Sequence, residues 1–141
     1  MVAKQQECGR KEVLMYVLDT DVAIWILRRD MGIINLLKKN VKEHESAIST
    51  ITIAELYKNI FPSELTSTEE FVTYQRVLPV SAQIAREAGY YWNQFHVKFS
   101  GLSILDCIIA ATVKVHEGSL YTLNIRHFPM KDILIQNPRS L

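Results

Sequence analysis

The sequence has little of what stabilises small proteins or places them in membranes. Of its 141 residues only Cys8 and Cys107 are cysteines, and they have neither CxxC spacing nor histidines in metal-ligand register. Such cysteine usage suits a reducing compartment and predicts a cytoplasmic protein. No apolar run reaches the roughly 18 residues of a membrane helix, and the start MVAKQQECGRKE lacks the apolar segment of a signal peptide. We therefore expect no membrane association.

A strong excess of charge of either sign is also missing. Sixteen basic and 15 acidic residues give a formal net charge of +1, which argues against a broad basic surface for long duplex nucleic acid but allows a local phosphate-binding patch. The 48% hydrophobic content is that of an ordinary globular chain. We predict one domain over residues 13–141, preceded by a flexible leader over residues 1–12, with Met15 as an alternative translation start.

Short apolar runs alternate with amphipathic segments along the chain. The predicted strands cover residues 13–18, 47–51, 77–80, 119–122 and 133–135. Helices are predicted after Asp21 and over residues 33–43, 52–60 and 71–77, followed by two longer helices that begin at Ser81 and Ser103 and end at Gly101 and Gly118. This alternation predicts an α/β fold, a three-layer α/β/α sandwich with a central, mainly parallel sheet of four or five strands.

Four carboxylates interrupt apolar sequence: Asp19, Asp21, Glu55 and Asp106. Because each follows a predicted strand closely or lies near a helix start, a parallel sheet would bring Asp19, Glu55 and Asp106 toward one edge, where ligands of such sheets bind. Three carboxylates in one pocket repel one another, and a divalent cation or bound protons relieve that repulsion. Ligands that are all oxygens favour Mg²⁺ or Mn²⁺ over zinc.

Each acid also has a purely local interpretation. Glu55 and Asp106 stand three residues after a threonine and a serine, as the third helical residue of a capping box does. Asp21 is the expected N-cap of the helix it precedes. Asp19 ends a strand and has no such local role, apart from an Asx-turn. These interpretations explain each acid separately but not their shared arrangement.

Four segments resemble the motifs of the PIN-domain ribonucleases, and within them the VapC-type toxins of bacterial and archaeal toxin-antitoxin pairs. LDTDVAI resembles the first family motif, STITIAEL the second, LDCIIAATVKVH the third and YTLNIRHF the fourth, from about Met15 to Phe128. The resemblance implies a PIN-like nuclease domain that hydrolyses RNA with Mg²⁺ or Mn²⁺. It also implies a homodimer and an antitoxin protein, encoded nearby, whose tail blocks the acidic cleft.

The resemblance assigns roles to the acids. Asp19 and Asp106 would ligate the cation, directly or through water, and Glu55 would orient the attacking water, so that these three form the catalytic and metal-binding set. Asn124 stands where many relatives carry a fourth acid. The missing charge favours one resident ion over two.

Other polar residues are assigned to the surroundings of this set. Thr122 and Asn124 are expected to hydrogen-bond to carboxylates or phosphate, and Asp21 is expected to lie in the outer shell of the site. Arg126 and His127 are candidate RNA contacts, although a histidine beside an apolar residue is more often a packing or surface residue.

Two rival functions remain open. DTDV also fits the D-x-D-x-[TV] opening of haloacid-dehalogenase-like phosphatases, with Asp19 as nucleophile and Asp21 as general acid, but beyond Asp106 the only acids are Glu117 and Asp132, short of the acidic pair such enzymes need. The other rival is a non-catalytic PIN-like module that binds RNA or protein. Three intact acids argue against it, because desolvated carboxylates kept without a metal weaken a fold.

Overall fold

The structure of the protein is a computed structural model that describes residues 15–40 and 46–140, so the predicted leader over residues 1–12 lies outside it. The strands are β1 (Tyr16–Leu18), β2 (Ser46–Ser49), β3 (Arg76–Leu78), β4 (Ser119–Tyr121) and β5 (Leu134–Gln136). The α-helices are α1 (Thr20–Leu27), α2 (Met31–Asn40), α3 (Thr50–Tyr57), α4 (Leu65–Tyr74), α5 (Ala82–Phe95) and α6 (Ile104–His116). Short 3₁₀ helices cover Pro62–Glu64, Ile125–His127 and Pro138–Ser140.

The five strands form one parallel sheet in the order β3-β2-β1-β4-β5. The central strand β1 pairs with β2 on one side, where Val17 lies opposite Ala47, and with β4 on the other, where Val17 lies opposite Leu120. The strand order therefore reverses at β1, and the carboxyl ends of β1, β2 and β4 border the crevice where ligands bind in such sheets. The predicted parallel sheet is confirmed.

Helices cover both faces of the sheet. Because successive strand residues point to opposite faces, Val17 and Leu120 pack in a core with residues of α5 and α6, whereas Leu18 and Tyr121 pack in a second core with residues of α1, α2 and α4. The three-layer α/β/α arrangement is confirmed. Within the described ranges, no helix combines the length and hydrophobicity needed to cross a bilayer.

The serines predicted to start the long helices do so. The Ser81 hydroxyl accepts a hydrogen bond from the Ile84 backbone N–H at 3.1 Å, and the Ser103 hydroxyl accepts one from the Asp106 N–H at 3.0 Å. Such caps satisfy amides that have no partner within the helix. Both long helices therefore begin where the sequence predicted.

Several predicted boundaries are wrong. In place of the helix predicted over residues 71–77, α4 covers Leu65–Tyr74. The last two residues of the predicted helix, Arg76 and Val77, belong to β3. β2 ends at Ser49, whose hydroxyl accepts from the Ile51 N–H at 3.1 Å and starts α3 within what looked like a β-branched strand. At the end of α6, the left-handed residue is Glu117, with φ of 54°. Gly118 is required for space instead, because a Cβ there would lie 2.8 Å from the Met15 carbonyl oxygen.

Candidate active site

Asp19 lies at the junction of β1 and α1, with no loop between them. Its N–H donates to the Tyr121 carbonyl at 2.9 Å, and its carboxylate accepts from the Thr20 N–H at 2.8 Å and caps α1. The other carboxylate oxygen accepts from the Thr122 hydroxyl at 2.8 Å. The prediction that Asp21 caps this helix is therefore wrong, because the helix begins as soon as the strand ends. Asp19 is held at both carboxylate oxygens.

Asp21, in the first turn of α1, binds the segment that follows β4. Its Oδ2 accepts from the Leu123 N–H at 3.1 Å and from the Asn124 side-chain amide at 3.1 Å. The Thr122 hydroxyl lies 3.5 Å from the same oxygen, but its single proton goes to the closer acceptor on Asp19. Among the described residues, the buried Oδ1 of Asp21 has no hydrogen-bond partner.

Glu55 lies in α3 and is held by a threonine from α1. The Thr20 hydroxyl donates to Glu55 Oε1 at 2.5 Å, and it lies 3.0 Å from the hydroxyl of Thr52. Since Thr20 has one hydroxyl proton, Thr52 is the donor in the second contact. The capping-box interpretation of Glu55 is wrong, because Ser49 and not Thr52 caps α3.

Sequence reasoning missed Thr20. The signal available was a hydroxyl residue enclosed by two aspartates within an apolar run. Its partner Glu55 lies 35 residues further along the chain, so no local pattern could identify the contact.

Asp106 lies in the first turn of α6, where Ser103 is the cap. Burial raises the pKa of Asp106. Hydrogen bonds with Ser103 and an electrostatic interaction with His127 lower it, and the charge of Glu55 raises it. The local interpretation of Asp106 is thus partly right, because Ser103 caps the helix by accepting a hydrogen bond from the Asp106 N–H. Glu55 in α3 is near enough for its charge to raise the pKa of Asp106 in α6.

The acids at this edge are not neutralised by protein cations. Burial, and then the charge of Asp21, raise the pKa of Asp19 to about 7, against hydrogen bonds from Thr122 and Thr20, while Asp106 adds a smaller increase. Burial likewise raises the pKa of Asp21. In the described part of the chain, no lysine or arginine forms an ion pair with any of these acids.

The donor set fits a hard divalent cation in its chemistry. The available ligands are all oxygens, and one buried oxygen, Oδ1 of Asp21, accepts no hydrogen bond from any described residue. Within residues 15–40 and 46–140, no three acidic, histidine or cysteine side chains already surround a metal position. Mg²⁺ keeps several waters and takes only one or two carboxylates directly, so a site for it does not need three such side chains. Asp19 and Asp106 could hold such an ion, with Glu55 and Asp21 reaching it through water.

The remaining predicted residues surround this group. Thr122 and Asn124 each hydrogen-bond to a carboxylate, as expected, although the partner of Asn124 is Asp21. Arg126 and His127 follow in the exposed turn Ile125–His127. Of these two, His127 interacts electrostatically with Asp106, so this turn borders the acids.

Comparison with known proteins defines the family. The sequence pattern of the PIN domain matches residues 16–132. The chain is 33% identical over 116 residues to the Mycobacterium tuberculosis (strain ATCC 25618 / H37Rv) protein named Ribonuclease VapC10, covering 82% of this chain and 87% of that protein. It is 32% identical over 117 residues to Ribonuclease VapC19 of the same strain, covering 82% and 94%. The chain belongs to the PIN domain family, and the phosphatase alternative is set aside.

Solved structures share this fold. The DNA-bound VapBC from Salmonella typhimurium superposes with a TM-score of 0.77 at 25% identity, covering 89% of this chain and 99% of that one. FitAcB from Neisseria gonorrhoeae superposes with a TM-score of 0.70 at 25% identity, covering 90% and 100%. The predicted fold class and family are therefore confirmed.

Proposed function

We propose that this protein is a Mg²⁺- or Mn²⁺-dependent endoribonuclease that hydrolyses RNA phosphodiester bonds and acts as the toxin of a toxin-antitoxin pair. The observation that carries the proposal is a group of buried or half-buried acids, none of which forms an ion pair with a lysine or arginine in the described residues: Asp19, Asp21, Glu55 and Asp106. A fold keeps such a group at a cost unless a cation uses it. Membership of the PIN domain family and relatives named ribonucleases support the same conclusion.

A bound divalent cation would lower the pKa of an attacking water and offset the negative charge that develops on the phosphoryl oxygens. In the proposed mechanism, Asp19 and Asp106 would hold the cation. Glu55, fixed by the Thr20 hydroxyl, would orient the attacking water and accept its proton. The Thr122 hydroxyl fixes the orientation of the Asp19 carboxylate.

The exposed turn after Asn124 is the proposed contact with RNA. Arg126 is an exposed cation in this turn, and His127 interacts electrostatically with Asp106. His127 is placed to contact RNA or to protonate the leaving oxygen. The formal charge of +1 suits a short single-stranded or structured RNA segment better than a long duplex.

The proposed partner is an antitoxin. Two of the similar solved structures are described as DNA-bound VapBC and as FitAcB, and the resemblance to VapC-type toxins implies an antitoxin. We expect a small protein encoded by a neighbouring gene to bind this chain and block the acidic cleft. The homodimer stays a prediction that a sedimentation experiment on the purified protein can test.

A non-catalytic PIN-like module is the remaining alternative. It would leave the buried acids with no function, although ionised carboxylates that lose water without gaining a partner destabilise a fold. No observation in the described residues favours it. RNA cleavage separates the two functions directly.

The test is RNA digestion by the full chain with Mg²⁺, with Mn²⁺ and with excess EDTA. The variant Asp106→Asn removes one proposed ligand at nearly constant shape, and we expect it to stay folded and lose cleavage. Asp132→Asn is the matched control, because Asp132 is an exposed acid near the opposite end of α6 that contacts Lys114. Cleavage by Asp106→Asn at the wild-type rate, or cleavage in EDTA, would contradict the proposal.

The toxin role has its own test. Expression of the wild-type chain should arrest growth, and co-expression of the neighbouring small gene should restore it. Asp106→Asn should be harmless when expressed to the same level. Growth that is unaffected by an active ribonuclease would remove the toxin role alone.

A further inference from the structure

Beside the candidate metal site, the carboxylate of Asp21 and the side-chain amide of Asn124 contact each other. Asp21 Oδ2 accepts a hydrogen bond from the Asn124 side-chain amide at 3.1 Å, across a sequence separation of 103 residues. The same oxygen accepts from the Leu123 N–H at 3.1 Å. These contacts tie the first turn of α1 to the segment that follows β4.

Both of these donors reach the same oxygen of Asp21. The other oxygen, Oδ1, is buried without a partner among the described residues. Leaving a buried acceptor unsatisfied costs about 1–3 kcal/mol. A ligand that fills this position, water or a cation with its water shell, removes that cost. Asp21 stands two residues from Asp19, and its charge raises the pKa of Asp19, so the Asp21 carboxylate lies close to the proposed cation site.

The contact also constrains which of the two residues can carry the charge. A carboxylate at both positions would place two anionic oxygens about 3 Å apart, which is strongly repulsive in a partly buried site. An amide at both positions would keep the hydrogen bond but remove the charge. One acid and one amide is the combination that satisfies both the contact and the cation.

We propose that Asp21 and Asn124 form an acid-amide pair in which Asp21 supplies one negative charge to the cation site through its unpartnered oxygen. Asn124 has to be an amide because Asp21 is the acid. Asp21 is thus a positioning residue that orients the water shell of the ion and holds the segment carrying Thr122. The inference deepens the proposed function and rests on it.

An exchange of the two side chains tests the pair. Asp21→Asn removes the charge, Asn124→Asp creates the repulsion, and the double variant Asp21→Asn/Asn124→Asp restores one acid and one amide with their positions reversed. The four metal-free proteins are titrated with Mn²⁺ by calorimetry, and their thermal unfolding without metal is measured at one fixed pH. Glu70→Gln, at an exposed position on α4, serves as the control for loss of one acidic charge elsewhere.

We expect Asp21→Asn to bind Mn²⁺ about 10- to 100-fold more weakly, as is common when an outer-shell group is lost, without a lower melting temperature. Asn124→Asp should melt at a lower temperature than the wild type. The double variant should recover the melting temperature lost in Asn124→Asp and at least part of the Mn²⁺ affinity lost in Asp21→Asn.

Three results would overturn the pair: unchanged Mn²⁺ affinity in Asp21→Asn, lower stability of Asp21→Asn with no change in affinity, or a double variant no better than the combined single effects. RNA digestion by the same proteins separates this inference from the proposed function. If the Mn²⁺ affinities of the four proteins follow the expected order but the wild type cuts no RNA, the ribonuclease would be refuted and the pair supported. A wild type that binds no Mn²⁺ would refute both.

Discussion

Burial of Asp19 should make the metal-free protein less stable as the pH rises from 5 to 8. Burial and the neighbouring Asp21 raise the pKa of Asp19 from 3.8 to about 7. In the unfolded chain the group ionises near its ordinary value, so between about pH 4 and pH 7 the folded protein keeps a proton that the unfolded chain has lost. Stability therefore falls through this window and stays low above it.

The size of the effect follows from the pKa difference. Each pKa unit corresponds to about 1.4 kcal/mol, so the whole window amounts to about 4 kcal/mol, of which about 3 kcal/mol falls between pH 5 and pH 8. The pKa values of Asp21 and Asp106 are also raised, so these groups act in the same direction. For a domain of this size, a loss of about 3 kcal/mol lowers the melting temperature by about 10 °C.

The assay is urea unfolding of EDTA-treated protein at pH 5, 6, 7 and 8. The side chain of Asp19→Asn cannot ionise. Between pH 5 and pH 8, the free energy of unfolding of this variant should therefore fall by about 3 kcal/mol less than that of the wild type. Without metal it should even be the more stable protein at pH 8, and it should cut no RNA. Mn²⁺ should stabilise the wild type at pH 8 far more than Asp19→Asn, because ligand binding to the folded state adds to its stability.

Glu70→Gln, at an exposed site on α4, controls for the loss of any carboxylate and should keep the wild-type pH dependence. Two results would refute the reasoning. One is a metal-free wild type that is equally stable at pH 5 and pH 8. The other is an Asp19→Asn variant whose stability falls with pH as steeply as that of the wild type.

Two further predictions follow from contacts and close approaches. Thr20→Val keeps the shape of the side chain but removes the hydroxyl that holds Glu55, so RNA cleavage should fall about 10- to 100-fold and Thr20→Ser should restore most of it; equal rates in the two variants would exclude the hydroxyl. Gly118→Ala places a Cβ 2.8 Å from the Met15 carbonyl oxygen and should lower the free energy of unfolding by about 1–3 kcal/mol. Gly89→Ala meets nothing within 4 Å and should raise it by up to about 1 kcal/mol; urea unfolding of the pair should therefore give opposite signs.

Features determined by neighbouring residues could be predicted from the sequence. Apolar runs between amphipathic segments identified the parallel sheet, and the serines at positions 81 and 103 identified two helix starts, because an N-cap acts on amides two or three residues away. The acids that break apolar runs identified Asp19, Glu55 and Asp106 as the candidate set. The resemblance of four segments to the PIN domain identified the family, which the comparison confirmed.

Features determined by distant residues could not be predicted. Asp21 looked like a cap because its partners Leu123 and Asn124 lie more than 100 residues away. Thr20 carried no assigned role because its acceptor lies on another helix. The start of α3 was missed for a different reason: threonine and isoleucine favour strands, and the cap at Ser49 outweighed that preference. In each case a hydrogen bond, and not a hydrophobic pattern, decided the outcome.

Because β1 passes directly into α1, no loop at the candidate site can absorb an inserted or deleted residue. The Asp19 N–H extends the pairing of β1 with β4, and the Asp19 carboxylate starts α1. One additional residue before Asp19 would turn alternate side chains to the other face of the sheet, and one after it would separate the cap from its helix. The spacing of backbone atoms, as much as the identity of the acid, therefore fixes the position of the candidate site. In this segment, a change in the length of the chain would therefore disturb the site more than an exchange of side chains.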